Sequence, residues 1–131
     1  MRACDDAEVE TAPTSAATIL IVDDHPSFLA AARFLLETDG FEIVGVATDG
    51  ESAVRETLRC SPDIVLLDVS LPDIDGFEVA SRLRAAGASS TIVFTSSRDG
   101  SDFGSLIVDS GGSGFIAKAE LSGEALRALG P

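Results

Sequence analysis

An α/β fold built on a parallel sheet is predicted by three observations. Five short aliphatic runs recur along the chain, each followed by a segment whose apolar residues repeat at helical spacing. The runs are continuous rather than alternating, as in strands covered on both faces. Two of them switch abruptly from aliphatic to acidic: Thr18-Ile19-Leu20-Ile21-Val22-Asp23-Asp24 and Ile64-Val65-Leu66-Leu67-Asp68. Open α/β sheets build their sites outside the carboxyl ends of their strands, where these carboxylates would fall.

The elements follow in order. Residues 1–17 hold Asp5, Asp6, Glu8, Glu10 and Pro13 among small residues and read as a disordered acidic leader. The first strand is expected over Ile19–Asp23. A helix from Pro26 to Thr38 puts Phe28, Ala32, Leu35 and Leu36 on one face, with Pro26 suited to the first turn and Gly40 to the stop. A strand over Glu42–Ala47 precedes a helix from Gly50 to Cys60, whose Ala53, Val54, Thr57 and Leu58 repeat the spacing until Pro62 closes it. The third strand, Ile64–Leu67, leads to a helix in which Phe77, Ala80, Leu83 and Arg84 form the apolar face before Gly87. Then come a strand at Thr91–Thr95 and a helix at Asp102–Ser110 weakened by Gly104. A strand at Gly114–Ala117 and a short helix at Leu121–Leu129 complete the pattern. Residues 18–131 thus read as one domain, and 131 residues suit a single core. Strand order is not legible from periodicity.

Composition narrows the function. With 45% hydrophobic residues the chain is globular, and a net charge of −13 opposes binding to a nucleic-acid backbone. No apolar stretch approaches the roughly 20 residues that span a bilayer, and the N-terminus lacks a secretion signal. Cys4 and Cys60 form no metal-ligand or redox spacing, so free thiols in a reducing cytoplasm are expected.

Three carboxylates gathered in one concavity repel strongly. A single pair about 4 Å apart costs roughly 4 kcal/mol at an effective dielectric of 20. A hard cation, a lysine or an added proton must offset that repulsion. Lys118, directly after the run Gly114-Phe115-Ile116-Ala117, is positioned to contribute.

The strings Ile21-Val22-Asp23-Asp24-His25-Pro26 and Leu66-Leu67-Asp68-Val69-Ser70-Leu71-Pro72-Asp73-Ile74-Asp75-Gly76 resemble the receiver domain of two-component response regulators. Phe94-Thr95-Ser96 and Gly114-Phe115-Ile116-Ala117-Lys118 do the same, in the right order from about Thr18 to Leu129. The Asp-Asp-His-Pro start is most similar to the LuxR-type (NarL/FixJ) branch, whose members usually add a helix-turn-helix; none follows in this sequence. The resemblance implies a flavodoxin-like fold with strand order 2-1-3-4-5 and a stand-alone phosphoacceptor rather than an enzyme. It makes Asp68 the residue phosphorylated by a sensor histidine kinase. Mg²⁺ would be held by Asp24, Asp68 and the Ser70 backbone carbonyl, with Asp23 holding a metal-bound water or contributing directly. Lys118 would pair with Asp68 and then with the phosphoryl group. Thr95 and Phe115 match the family's switch pair, and output would pass to a protein partner or a second copy through the last two helices and strand.

Two features depart from the family pattern. Ala119 follows Lys118 where many receivers have proline, so a trans peptide is expected. The run Gly111-Gly112-Ser113-Gly114 should soften the loop before the last strand. His25, the lone histidine, reads as a residue at the helix start beside the site rather than a phosphorelay histidine. A haloacid-dehalogenase-type phosphohydrolase would also use a strand-end aspartate and Mg²⁺. It wants a second aspartate two residues on, where Ser70 stands, and a cap insertion for which there is no room. A degenerate receiver acting as an interaction module is the remaining alternative.

Overall fold

The computed structural model describes residues 17–97 and 103–129. The leader expected over 1–17 lies, apart from Ala17, outside the described residues. Strands β1 (Thr18–Val22), β2 (Glu42–Ala47), β3 (Ile64–Asp68), β4 (Thr91–Ser96) and β5 (Gly114–Ala117) form one sheet of order β2-β1-β3-β4-β5. All neighbouring strands are parallel. The connecting helices are α1 (Pro26–Thr38), α2 (Gly50–Cys60), α3 (Gly76–Ala85), α4 (Leu106–Asp109) and α5 (Gly123–Leu129), with a 3-10 turn at Lys118–Glu120.

Strand alternation splits the core into two layers. On one face Leu20, Val22, Leu67 and Phe94 pack against Ala53 of α2 and Val79, Ala80 and Leu83 of α3. On the other Ile19, Ile21, Leu66 and Ile116 pack against Ala32 and Leu36 of α1 and Leu126 of α5. Every residue of β3 is buried, which is why its sequence is an unbroken aliphatic run ending in Asp68.

Helices α1 and α2 have the limits their sequences predicted, for identifiable reasons. Pro26 opens α1, and the Asp49 side chain accepts from the Ser52 amide to cap α2. Of the helix expected over Asp102–Ser110, Asp102 lies outside the described residues, and the described part forms one α-helical turn, Leu106–Asp109. Gly104 has φ +57°, a left-handed conformation incompatible with helix, and ordered helix begins at Leu106. The last helix starts at Gly123 rather than Leu121, because the chain first makes the 3-10 turn. Leu58, expected on the core face of α2, is 46% exposed.

Two further expectations fail. The glycine run before β5, expected to be soft, is closely packed: a Cβ on Gly112 would collide with the edge of the Phe94 ring, and Arg84 donates to the Gly111 carbonyl at 3.0 and 2.8 Å. Cys60, the last residue of α2, is disulfide-bonded, so the free thiol expected there is overturned; Cys4 lies outside the described residues. Spacing rules detect cysteines close in sequence, whereas a crosslink depends on proximity in the fold. Among the described residues no peptide bond is cis, so Lys118–Ala119 is trans as expected. No described helix is long and apolar enough to cross a membrane.

Candidate functional site

The carboxyl ends of β1, β3 and β5 bring the acidic residues and the lysine together. Asp23 follows β1, and its amide donates to the Ala47 carbonyl at 3.0 Å, fastening it to the end of β2. Its side chain is fully buried. One carboxylate oxygen, Oδ1, accepts from the His25 amide at 2.9 Å and faces His25 Nδ1 at the same distance. The other, Oδ2, lies 2.6 Å from Lys118 Nζ, an ionic contact, yet has no aligned hydrogen-bond donor. Asp68, the last residue of β3, accepts from the Ser70 amide through Oδ1 at 3.1 Å and from Lys118 Nζ through Oδ2 at 3.2 Å. Asp24 is 36% exposed, with Oδ1 3.2 Å from His25 Nδ1.

The lysine therefore contacts two buried carboxylates, and Asp23 is the nearer. The family resemblance paired it with Asp68. Nζ also lies 4.6 Å from the centre of the Phe28 ring, a cation–π contact from the first turn of α1.

These contacts separate the titrations. Burial would raise the Asp23 carboxyl, but Lys118 and the amide and ring of His25 outweigh it and hold it below its usual value. Burial raises the Asp68 carboxyl, and the charge on Asp23 adds to it, against the Ser70 amide and Lys118. Burial would lower Lys118, but the two carboxylates outweigh it and keep the ammonium charged.

Ligand atoms of Asp23, Asp24, His25 and Asp68 all lie within 4.8 Å of one another. Three ionised carboxylates against one ammonium leave two negative charges, the amount that one divalent cation neutralises. The carboxylate oxygens of Asp23, Asp24 and Asp68 form a hard donor set of the kind Mg²⁺ takes. The residues fit such an ion.

Thr95 is the register partner of Asp68 across β3 and β4, and is 1% exposed. Its hydroxyl has no hydrogen-bond partner. Phe115 is not beside it. Register pairs Thr95 with Ile116 and Phe94 with Phe115, so Thr95 and Phe115 project from opposite faces of the sheet. The Phe115 ring instead packs 5.6 Å from Phe103, which stands 5.7 Å from Phe77.

Gly76 brings the start of α3 against the site. A Cβ there would collide with the Asp68 carbonyl oxygen, and the Gly76 amide donates to the Val69 carbonyl at 2.7 Å. Glycine is required by this approach.

Residues 19–129 match the response regulator receiver domain family. The chain belongs to that family. This receiver is 38% identical over 101 residues to the DNA-binding transcriptional activator EvgA of Escherichia coli, covering 77% of the chain and 50% of EvgA. It is 34% identical over 110 residues to the virulence-factor transcription regulator BvgA of Bordetella pertussis, covering 84% of the chain and 53% of BvgA. The receiver thus spans about half the length of these regulators. Among solved structures it is similar to the signal receiver domain of the response regulator NarL from Mycobacterium tuberculosis. That match has 26% identity and a TM-score of 0.81, covering 88% of this chain and 94% of that one. A LuxR-family regulator from Aurantimonas gives 31% identity and a TM-score of 0.73, covering 80% and 76%.

Proposed function

We propose that this receiver takes a phosphoryl group onto Asp68 from the histidine of a sensor kinase and signals through altered protein contacts. The observation that carries the reading is the buried pair Asp23 and Asp68 gathered on Lys118, with the unpartnered Thr95 hydroxyl on the neighbouring strand. An Asp68 carboxylate oxygen forms the new O–P bond as the N–P bond to the donor imidazole breaks and the imidazole leaves with the electron pair. Positioning and charge neutralisation supply most of the catalysis in such transfers. Lys118 is poised to follow the charge from the carboxylate to the phosphoryl oxygens. The Thr95 hydroxyl has an unused proton to donate to one of them.

Mg²⁺ would be held by Asp24, Asp68 and the Ser70 backbone carbonyl, with Asp23 nearby; when bound it neutralises charge on the transferring group. Ser70 stands at the exposed mouth of the site, its amide already bound to Asp68. Output is assigned to the surface of α4, β5 and α5, on which Leu106 is 50% and Val108 71% exposed. A protein partner or a second copy suits it, since the net charge of −13 opposes DNA. A cytoplasmic setting accords with the family.

The test is intact-mass measurement after incubation with Mg²⁺ and acetyl phosphate. Wild type should gain one phosphoryl group and Asp68→Asn none. Equal labelling of both would overturn the assignment, and no labelling of either would favour a degenerate interaction module.

A further inference from the structure

The loop between β3 and α3 is fastened to another part of the chain by a carboxylate outside the acidic cluster. Asp73 accepts from the Gly50 amide through Oδ1 at 2.7 Å and from the Glu51 amide through Oδ2 at 3.0 Å. These are the first two residues of α2, whose amides a helix leaves without internal partners. The helix already has its own cap, because Asp49 accepts from the Ser52 amide at 2.8 Å. Asp73 therefore adds a second cap from 23 positions away. Ile74 seats the loop beside it: a Cβ on Gly50 would collide with the Ile74 side chain. The Gly50 amide foremost, with other backbone donors, holds the exposed Asp73 carboxyl below its usual range.

What this clamp joins explains its purpose. The Asp23 amide is bonded to the Ala47 carbonyl, so the acidic end of β1 and the turn into α2 form one frame. Ser70 lies on the other side of the site, on the loop that Asp73 ties to that frame. The loop is also held at its ends, by the Ser70 amide on Asp68 and the Gly76 amide on Val69. Without the middle tie, the Ser70 carbonyl would be referenced to β3 and β4 alone, since the Val69 amide also donates to the Thr95 carbonyl at 3.0 Å.

We propose that Asp73 is a positioning residue for the cation site: by fastening the β3–α3 loop to the start of α2, it fixes the Ser70 carbonyl relative to Asp23 and Asp24. This rests on the metal reading above, and the test separates the two. Mg²⁺ alone is titrated into ¹⁵N-labelled protein and followed by amide chemical shifts, for wild type, Asp73→Ala, Asp73→Asn and Asp49→Ala. Groups that orient metal ligands typically contribute tenfold or more in affinity, so Asp73→Ala should bind about tenfold more weakly. Asp73→Asn keeps one acceptor oxygen and should lie between, about threefold weaker on the same scale; it carries the test should Asp73→Ala melt below the titration temperature. Asp49→Ala removes the other cap of the same helix and should retain wild-type affinity. Equal weakening by Asp49→Ala would reduce Asp73 to helix stability and overturn the proposal. Wild-type affinity in the Asp73 variants would overturn it while leaving the metal site standing. Absence of Mg²⁺ binding by wild type would overturn both.

Discussion

Replacing Lys118 by methionine keeps the length of the side chain and removes the ammonium from two carboxylates that are 0% and 3% exposed. The gross attractions are large, about 6 kcal/mol at 2.6 Å and about 5 kcal/mol at 3.2 Å for an effective dielectric of 20. Desolvation of the three groups offsets most of this, and breaking a buried pair from one side costs about 3–5 kcal/mol. Protonation sets a ceiling. Taking up a proton at pH 7, 3.2 units above the ordinary carboxyl value of 3.8, costs about 1.36 kcal/mol per unit, or roughly 4.4 kcal/mol for one carboxylate. At pH 5 the ceiling falls to roughly 1.6 kcal/mol by the same conversion. Wild-type Lys118, raised above 10.5 in the fold, stays charged at both pH values, and its contribution disappears only as pH rises through that folded value. Lys118→Met should therefore lose about 3–4 kcal/mol at pH 7, a large share of the roughly 5–15 kcal/mol typical of a domain, and less than half as much at pH 5. The assay is urea unfolding in EDTA followed by far-ultraviolet circular dichroism, because the chain has no tryptophan or tyrosine. A loss under about 1 kcal/mol at pH 7, the range of an exposed pair, would refute the reasoning. So would a loss that does not shrink at pH 5.

Three further outcomes are expected. In metal-free buffer wild type should gain stability as pH falls from the raised Asp68 value toward 3.8. It should lose it at lower pH as Asp23, held below 3.8, takes up its proton. Asp68→Asn should lack the gain, and urea titrations across that range decide it. Asp24→Ala should melt slightly higher without metal, by less than about 1 kcal/mol because Asp24 is 36% exposed, and should bind Mg²⁺ more weakly in a titration. Gly76→Ala drives a methyl group into the Asp68 carbonyl, so it should cost about 1–3 kcal/mol in a thermal melt and reduce labelling by acetyl phosphate.

How much was legible beforehand differs from element to element. Strands β1 and β3 were read almost to the residue because burial on both faces demands unbroken aliphatic runs, and the break to aspartate marks where the sheet ends. Asp23, Asp24, Asp68 and Lys118 were found for the same reason: each stands just beyond, or at the close of, such a run. Local chemistry also marked the ends of α1 and α2, through Pro26, Gly40 and Pro62, while the Asp49 cap was seen only in the structure. The short α4 was less legible, since Leu106 and Ile107 keep helical spacing while Gly104 opens a turn in front of them.

The sequence by itself determined the alternation of strand and helix and the set of charged groups at the strand ends, because both follow from periodicity and local capping. Tertiary structure alone decided that Lys118 sits nearer Asp23 than Asp68, and that Thr95 and Phe115 face opposite sides of the sheet. It alone showed Asp73 capping a helix 23 residues before it, and Cys60 in a disulfide. Those facts depend on strand register and on which distant segments the packed core brings together, and neither is encoded within a single turn of helix or length of strand.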